Sequence, residues 1–370
     1  MPRAVRRVAA ARARLPFVLS VGAERRSRRA AAAVLVVALI AACGGDDGAH
    51  DAVDARAIDA AADGAIDAPP GPRQLSSTGL YSDLARGTIA PGIAEYAPAY
   101  PLWSDGAQKR RWIQLPPGTQ IDTRDMDHWT FPVGTKLWKE FARDGVRLET
   151  RLVEHVADTG RPETDYWMGA FLWLDDQSDA VLVEGGATDV HGTAHDVPAQ
   201  VACWTCHGGE PGHGLSFSAV QLSKPGAGPT LATLTADALL SDPPPVGADF
   251  SPPGAPEVKA ALGYLHANCG HCHNPHGSAR PDVDLMLRLD VAARTPEATA
   301  TYRTAIGVPL QFFHGGGLTT RIVPGDQAAS AVTYRMSMRG MGVQMPPIAT
   351  EHVDTAGLAA VTAWIAALPP

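Results

Sequence analysis

Residues 256–273 read Pro-Glu-Val-Lys-Ala-Ala-Leu-Gly-Tyr-Leu-His-Ala-Asn-Cys-Gly-His-Cys-His, and this stretch decides how the chain is read. Pro256, Glu257 and Lys259 open a helix, which is expected to run to His266. Leu262 and Leu265 give it an apolar face leading into Cys269. At its end two thiols stand two residues apart, and an imidazole follows at once.

Cys269-Gly270-His271-Cys272-His273 has a second copy upstream, Cys203-Trp204-Thr205-Cys206-His207. Both are C-x-x-C-H, the attachment signature of c-type haem. Two thiols at this spacing can add to the two vinyl groups of one haem, and the next His then faces the iron. The expectation is two covalent haem c groups, held by Cys203, Cys206 and His207 and by Cys269, Cys272 and His273. A four-thiol zinc site is the competing reading. It leaves both histidines without a role and sits poorly with export to an oxidising compartment.

The fifth and last cysteine, Cys43, closes a run of 13 apolar or small residues from Ala30 to Ala42, after an Arg-rich start. A run this short falls below the ~20 residues needed to span a bilayer, and it fits the apolar core of a secretory signal. Ile40-Ala41-Ala42-Cys43 resembles a bacterial lipoprotein signal, which implies cleavage before Cys43 and acylation of its thiol. Residues 1–43 are therefore expected to be a signal peptide. Residues 44–72 hold seven Asp and one Arg among many Ala, so they are read as a disordered tether. The first 43 residues carry nine Arg and one Glu, a charge of +8; the chain is −8, which leaves −16 for the rest. So acidic a remainder excludes nucleic acid as the expected partner and suits a protein with a basic face.

Residues 73–200 are expected to form a β-rich domain. Six of the eight tryptophans lie there, namely Trp103, Trp112, Trp129, Trp138, Trp167 and Trp173. Short β-like runs cover 129–141, 146–156, 166–174 and 180–184, with Leu148, Thr150 and Leu152 on one face at a period of two. His128, His155, His191 and His195 also fall in this region.

Residues 201–250 are expected to form a first haem c segment and residues 251–370 a cytochrome c-like domain with the second haem. Gln344-Met345-Pro346-Pro347 places a thioether ahead of two prolines, which hold an extended loop. This resembles the distal-ligand loop of monohaem cytochromes c and implies His273 and Met345 as axial ligands of the second haem iron. Met336, Met338 and Met341 are rivals. A helix is expected over 355–368, packing on the helix before Cys269. The first haem has no Met between His207 and Cys269; Met168, His191, His195 and His213 are candidates for its sixth position, or that position is open. His271 and His276 flank the second motif.

The chain resembles a family of bacterial dihaem c-type cytochrome lipoproteins, whose module is also seen fused to soluble quinoprotein sugar dehydrogenase-like domains. The matching pieces are Leu102–Ala107, Phe131–Thr135, Glu149–Leu152, Cys203–His207, Ala267–Pro275, Val323–Asp326 and Met345–Pro347. The resemblance implies electron transfer at the cell envelope with a redox partner protein. It implies a chain anchored by lipid on the periplasmic side of a membrane, the outer one favoured. The expected fold class is α+β multidomain, a β-rich N-terminal domain followed by a mainly α-helical cytochrome c domain. An electron carrier is expected rather than an enzyme. The alternative is a dihaem peroxidase-like oxidoreductase with an open site at the first haem; the sequence shows no acid–base motif for it.

Overall fold

Trp112, Trp138 and Leu152 stand opposite one another on three adjacent antiparallel strands, and the sheet is built around that row. The computed structural model describes residues 70–279, 283–340 and 342–370. The expected signal peptide, Cys43 and all but the last residues of the expected tether lie outside this range.

A small hairpin of β1 (Tyr81–Asp83) and β2 (Thr88–Ile89) precedes a six-stranded meander. The meander runs β3 (Ala94–Tyr96), β4 (Gln108–Gln114), β5 (Lys136–Arg143), β6 (Val146–His155), β7 (Tyr166–Trp173) and β8 (Ala180–Leu182), each strand antiparallel to the next. Asp144 and Gly145, at φ 51° and 84°, join β5 to β6. A two-residue Asp-Gly turn with positive φ twists as the strands do, and so it fixes their register.

Side chains alternate across the sheet. One face carries Trp112, Trp138, Leu152, Trp167, Phe171 and Trp173, which are capped by Leu75 and Leu80 from the preceding segment. On the other face Ile113 and Leu137 pack with Phe217, Leu222, Leu231, Leu234 and Leu240 from the chain after the first C-x-x-C-H. The first C-x-x-C-H is itself the helical turn α1 (Cys203–His207), and the chain after it includes α2 (Leu231–Ala236). A further core joins α3 (Pro256–Asn268), α4 (Ala331–Ser337) and α5 (Thr355–Ala367) through Ala261, Leu262, Leu265, Met336, Val361, Trp364 and Ile365. Phe250 and Val291 pack against both of these last two cores.

This architecture corrects the expected fold class. The region after the sheet is not a mainly α-helical cytochrome c domain. Among the described residues only α3 and α5 reach 13 residues, and the other helices are short. The physical cause is composition. Between Cys269 and Asp354 the chain is punctuated by Pro309, Pro324, Pro346 and Pro347 and by Gly307, Gly316, Gly317, Gly325, Gly340 and Gly342 at positive φ. Such residues remove helix donors or take backbone angles outside the helical region. The two long helices do form where expected, and they pack on each other. No helix among the described residues is long and apolar enough to cross a membrane.

Candidate functional site

The two C-x-x-C-H motifs fold in the same local way. Cys203–His207 is one helical turn, so its residues at i, i+3 and i+4 share a side. At the second motif α3 ends at Asn268, but the Cys272 and His273 amides donate to the Cys269 carbonyl at 3.1 and 2.8 Å. That extra turn sets Cys269, Cys272 and His273 on one side as well. All four thiols are free of disulfides.

The motif histidines are held alike. His207 donates Nδ1–H to the His213 carbonyl at 2.6 Å, and His273 donates Nδ1–H to the Leu285 carbonyl at 3.2 Å. A carbonyl can only accept, so the ring proton sits on Nδ1 and the Nε2 lone pair is left free. Burial pushes His207 down to about 3 and also lowers His273. Both imidazoles are therefore neutral. A neutral ring with Nδ1–H on a carbonyl is the form that ligates a metal.

The motifs also touch each other. Cys206 Sγ, a ring nitrogen of His271 and Cys272 Sγ lie within 4.8 Å of one another. Cys272 Sγ is 3.6 Å from the Thr205 carbonyl. A Cβ added at Gly209 would stand 2.7 Å from Gly277 Cα and 2.8 Å from the His271 carbonyl oxygen, so only glycine permits this approach. A hydrogen bond shared by the two thiols pushes Cys206 up and Cys272 down, the latter helped by His271. Burial raises Cys203 to about 11 and Cys269 to about 12. The donors that meet are two thiols and one His from the middle of a motif. The four thiols that a zinc site would need are not gathered among the described residues.

The other candidates are scattered. His195 gives Nε2 to Glu149 at 2.8 Å, and His191 turns Nδ1 to Asp175 at 3.4 Å. His213 is buried, returns a 2.7 Å bond from Nδ1 to the His207 carbonyl, and meets the Tyr166 and Trp204 rings edge-on. His155 is stacked on Tyr166, and His128 lies against Asp125 and meets the His276 ring edge-on. Met168 is buried on β7. Met336 belongs to the helical core, and Met341 lies outside the described residues.

Met345 sits in a loop tied to α4. Its amide donates to the Arg335 carbonyl at 3.0 Å, and Arg335 Nε donates to the Val343 carbonyl at 2.9 Å. The Arg335 charge also helps keep His273 neutral. The loop is held from its far side by Asp105, whose carboxylate accepts the amides of Glu351 and His352 at 2.8–3.1 Å. Next to it, Trp103 donates its amide to Asn268 Oδ1 at 2.6 Å, one residue before Cys269. Leu102–Ala107 thus ties the sheet's approach segment to both the second motif and the Met345 loop. The sequence marks this segment as notable without revealing that role, because its partners lie more than 160 residues away.

No family model, no curated protein and no solved structure matches this chain.

Proposed function

We propose that this chain is a dihaem c-type electron carrier of the bacterial cell envelope. The observation that carries the reading is the pair of C-x-x-C-H turns. Each sets two free thiols and a neutral imidazole on one side, with Nδ1–H on a backbone carbonyl and Nε2 left over. These features fit covalent haem at Cys203 and Cys206 with His207 as proximal ligand, and at Cys269 and Cys272 with His273. Met345 would complete the second iron, which would raise its reduction potential. When bound, the haems supply one-electron chemistry. The protein's own residues fix the imidazole tautomers, bury the His273 ring and bring the two turns into contact at Cys206 and Cys272. Cofactors held on touching turns are neighbours, which suits relay of an electron between them.

The experiment is a haem count. Expressed with a c-haem attachment system, the wild-type chain should carry two covalent haems that survive denaturation, and Cys203→Ser with Cys206→Ser should carry one. Equal haem in both proteins would exclude the first motif as an attachment site.

A further inference from the structure

The sheet face that packs against the first motif carries an unusual row of cations. Arg111 on β4, Lys139 on β5 and Arg151 on β6 stand directly opposite one another in register. Lys109 is two residues along on the same face. Lys109 Nζ, Lys139 Nζ and the Arg151 guanidinium lie 5.9, 4.8 and 4.5 Å from the centre of the Phe141 ring. Like charges directly opposite on neighbouring strands repel, and partial burial weakens the water screening between them.

The acids present do not balance the row. Glu149 is fully buried and binds Arg151 through Nε at 2.9 Å and Nη2 at 2.5 Å, while also holding His195. Asp105 and Asp354 favour the charged form of Lys109, but less than burial, Arg111 and Arg151 oppose it. Arg111 is 4% exposed, and its Nε and Nη2 have no hydrogen-bond partner. Burial, then Arg111, Arg151 and Lys109, hold Lys139 well below an ordinary lysine. Burial likewise lowers Lys109 to about 8. A row of one buried and two half-buried cations with an orphaned guanidinium is a site in want of an anion. The row lies on the face that meets the first motif: His155 and Tyr166, on the same sheet face as Arg151, stack on each other, Tyr166 meets the His213 ring edge-on, and the His213 carbonyl holds His207.

We propose that Arg111, Lys139 and Arg151 bind the two propionate carboxylates of the haem attached at Cys203 and Cys206. This rests on the dihaem reading above. A guanidinium is suited to a carboxylate because its fork meets both oxygens. The row would neutralise the acidic edge of the cofactor and would in turn be neutralised by it.

The test uses the full chain with its haems, read by potentiometric titration with each haem resolved. Arg111→Gln and Lys139→Gln should each keep two haems and move the potential of one haem to a more negative value, since a cation beside an iron centre favours the reduced state. Arg111→Lys should largely restore it. Lys136→Gln, on the opposite sheet face, is the control and should move neither. Potentials unchanged in folded, two-haem Gln variants would overturn the proposal. A second measurement does not need those variants to fold. In the Cys203→Ser, Cys206→Ser protein the row is free, so succinate should raise its melting temperature in a concentration-dependent way and should leave the two-haem wild type unaffected. Succinate stabilising both proteins alike would assign the row to a separate small anion and overturn the proposal, as would no effect on either. Failure of the dihaem reading is seen separately, as a wild-type chain without covalent haem.

Discussion

His266 shows what single residues contribute near the second motif. Its Nδ1 accepts the Leu289 amide at 3.1 Å, so the ring is neutral by construction, and burial lowers its pKa to about 3. In the unfolded chain an imidazole protonates near the ordinary value of about 6.5. The depressed folded value means that His266 destabilises the fold increasingly as pH falls below about 6.5 toward 3, and has no such effect above that window. His266→Gln should flatten this acid limb in urea unfolding at pH 4 to 7; an unchanged slope would place the acid sensitivity elsewhere. At this scale the sequence was legible for residue types and spacing. C-x-x-C-H names the ligand set. It does not say which ring nitrogen bears the proton, because the carbonyls of His213 and Leu285 arrive through tertiary folding.

At the level of elements, the β runs around Lys136–Arg143, Val146–His155 and Tyr166–Trp173 and both long helices could be read from the chain, since alternation and helix-start signals are local. Gln108–Gln114 was missed as a strand. Its sequence, Gln-Lys-Arg-Arg-Trp-Ile-Gln, is mostly charged and polar, and it is held by pairing with β3 and β5 and by burial of Trp112 and Ile113. The excess helix expected after residue 251 came from analogy; prolines and glycines there prevail. The Asp354 carboxylate caps α5 by accepting the Gly357 amide at 2.9 Å. Asp354→Ala should cost about 1 kcal/mol in denaturant unfolding. Asp105 works between elements. Asp105→Ala removes the acceptor for Glu351 and His352, loosens the Met345 loop and should shift the potential of the same haem that Met345→Ala shifts, by a smaller amount. Shifts on different haems in the two variants would detach Asp105 from that loop.

Across the whole molecule, sheet and helices share their interior. Phe250 and Val291 join the core beneath the sheet to the helical core, and Arg288, from the chain after the second motif, pairs with Glu210 just after the first and reaches the Asp127 carbonyl. A boundary near residue 250 looks natural in the sequence because the cysteine motifs repeat. It is crossed repeatedly in the fold, by these shared core residues, by Arg288 and by the contact of Cys206 with Cys272.

The meeting of Cys206 and Cys272 bears on how such a chain matures. The fold holds one thiol of each motif close to the other. An oxidant that took two electrons and two protons from this pair would leave a cross-link between the motifs and deprive both of a bonding sulfur. On the dihaem reading, such a link formed ahead of cofactor loading would block both motifs, so reduction and loading should precede closure. Peptide mapping of protein made without haem under oxidising conditions should find the Cys206–Cys272 link in preference to Cys203–Cys206 or Cys269–Cys272, and chains so linked should refuse haem until reduced.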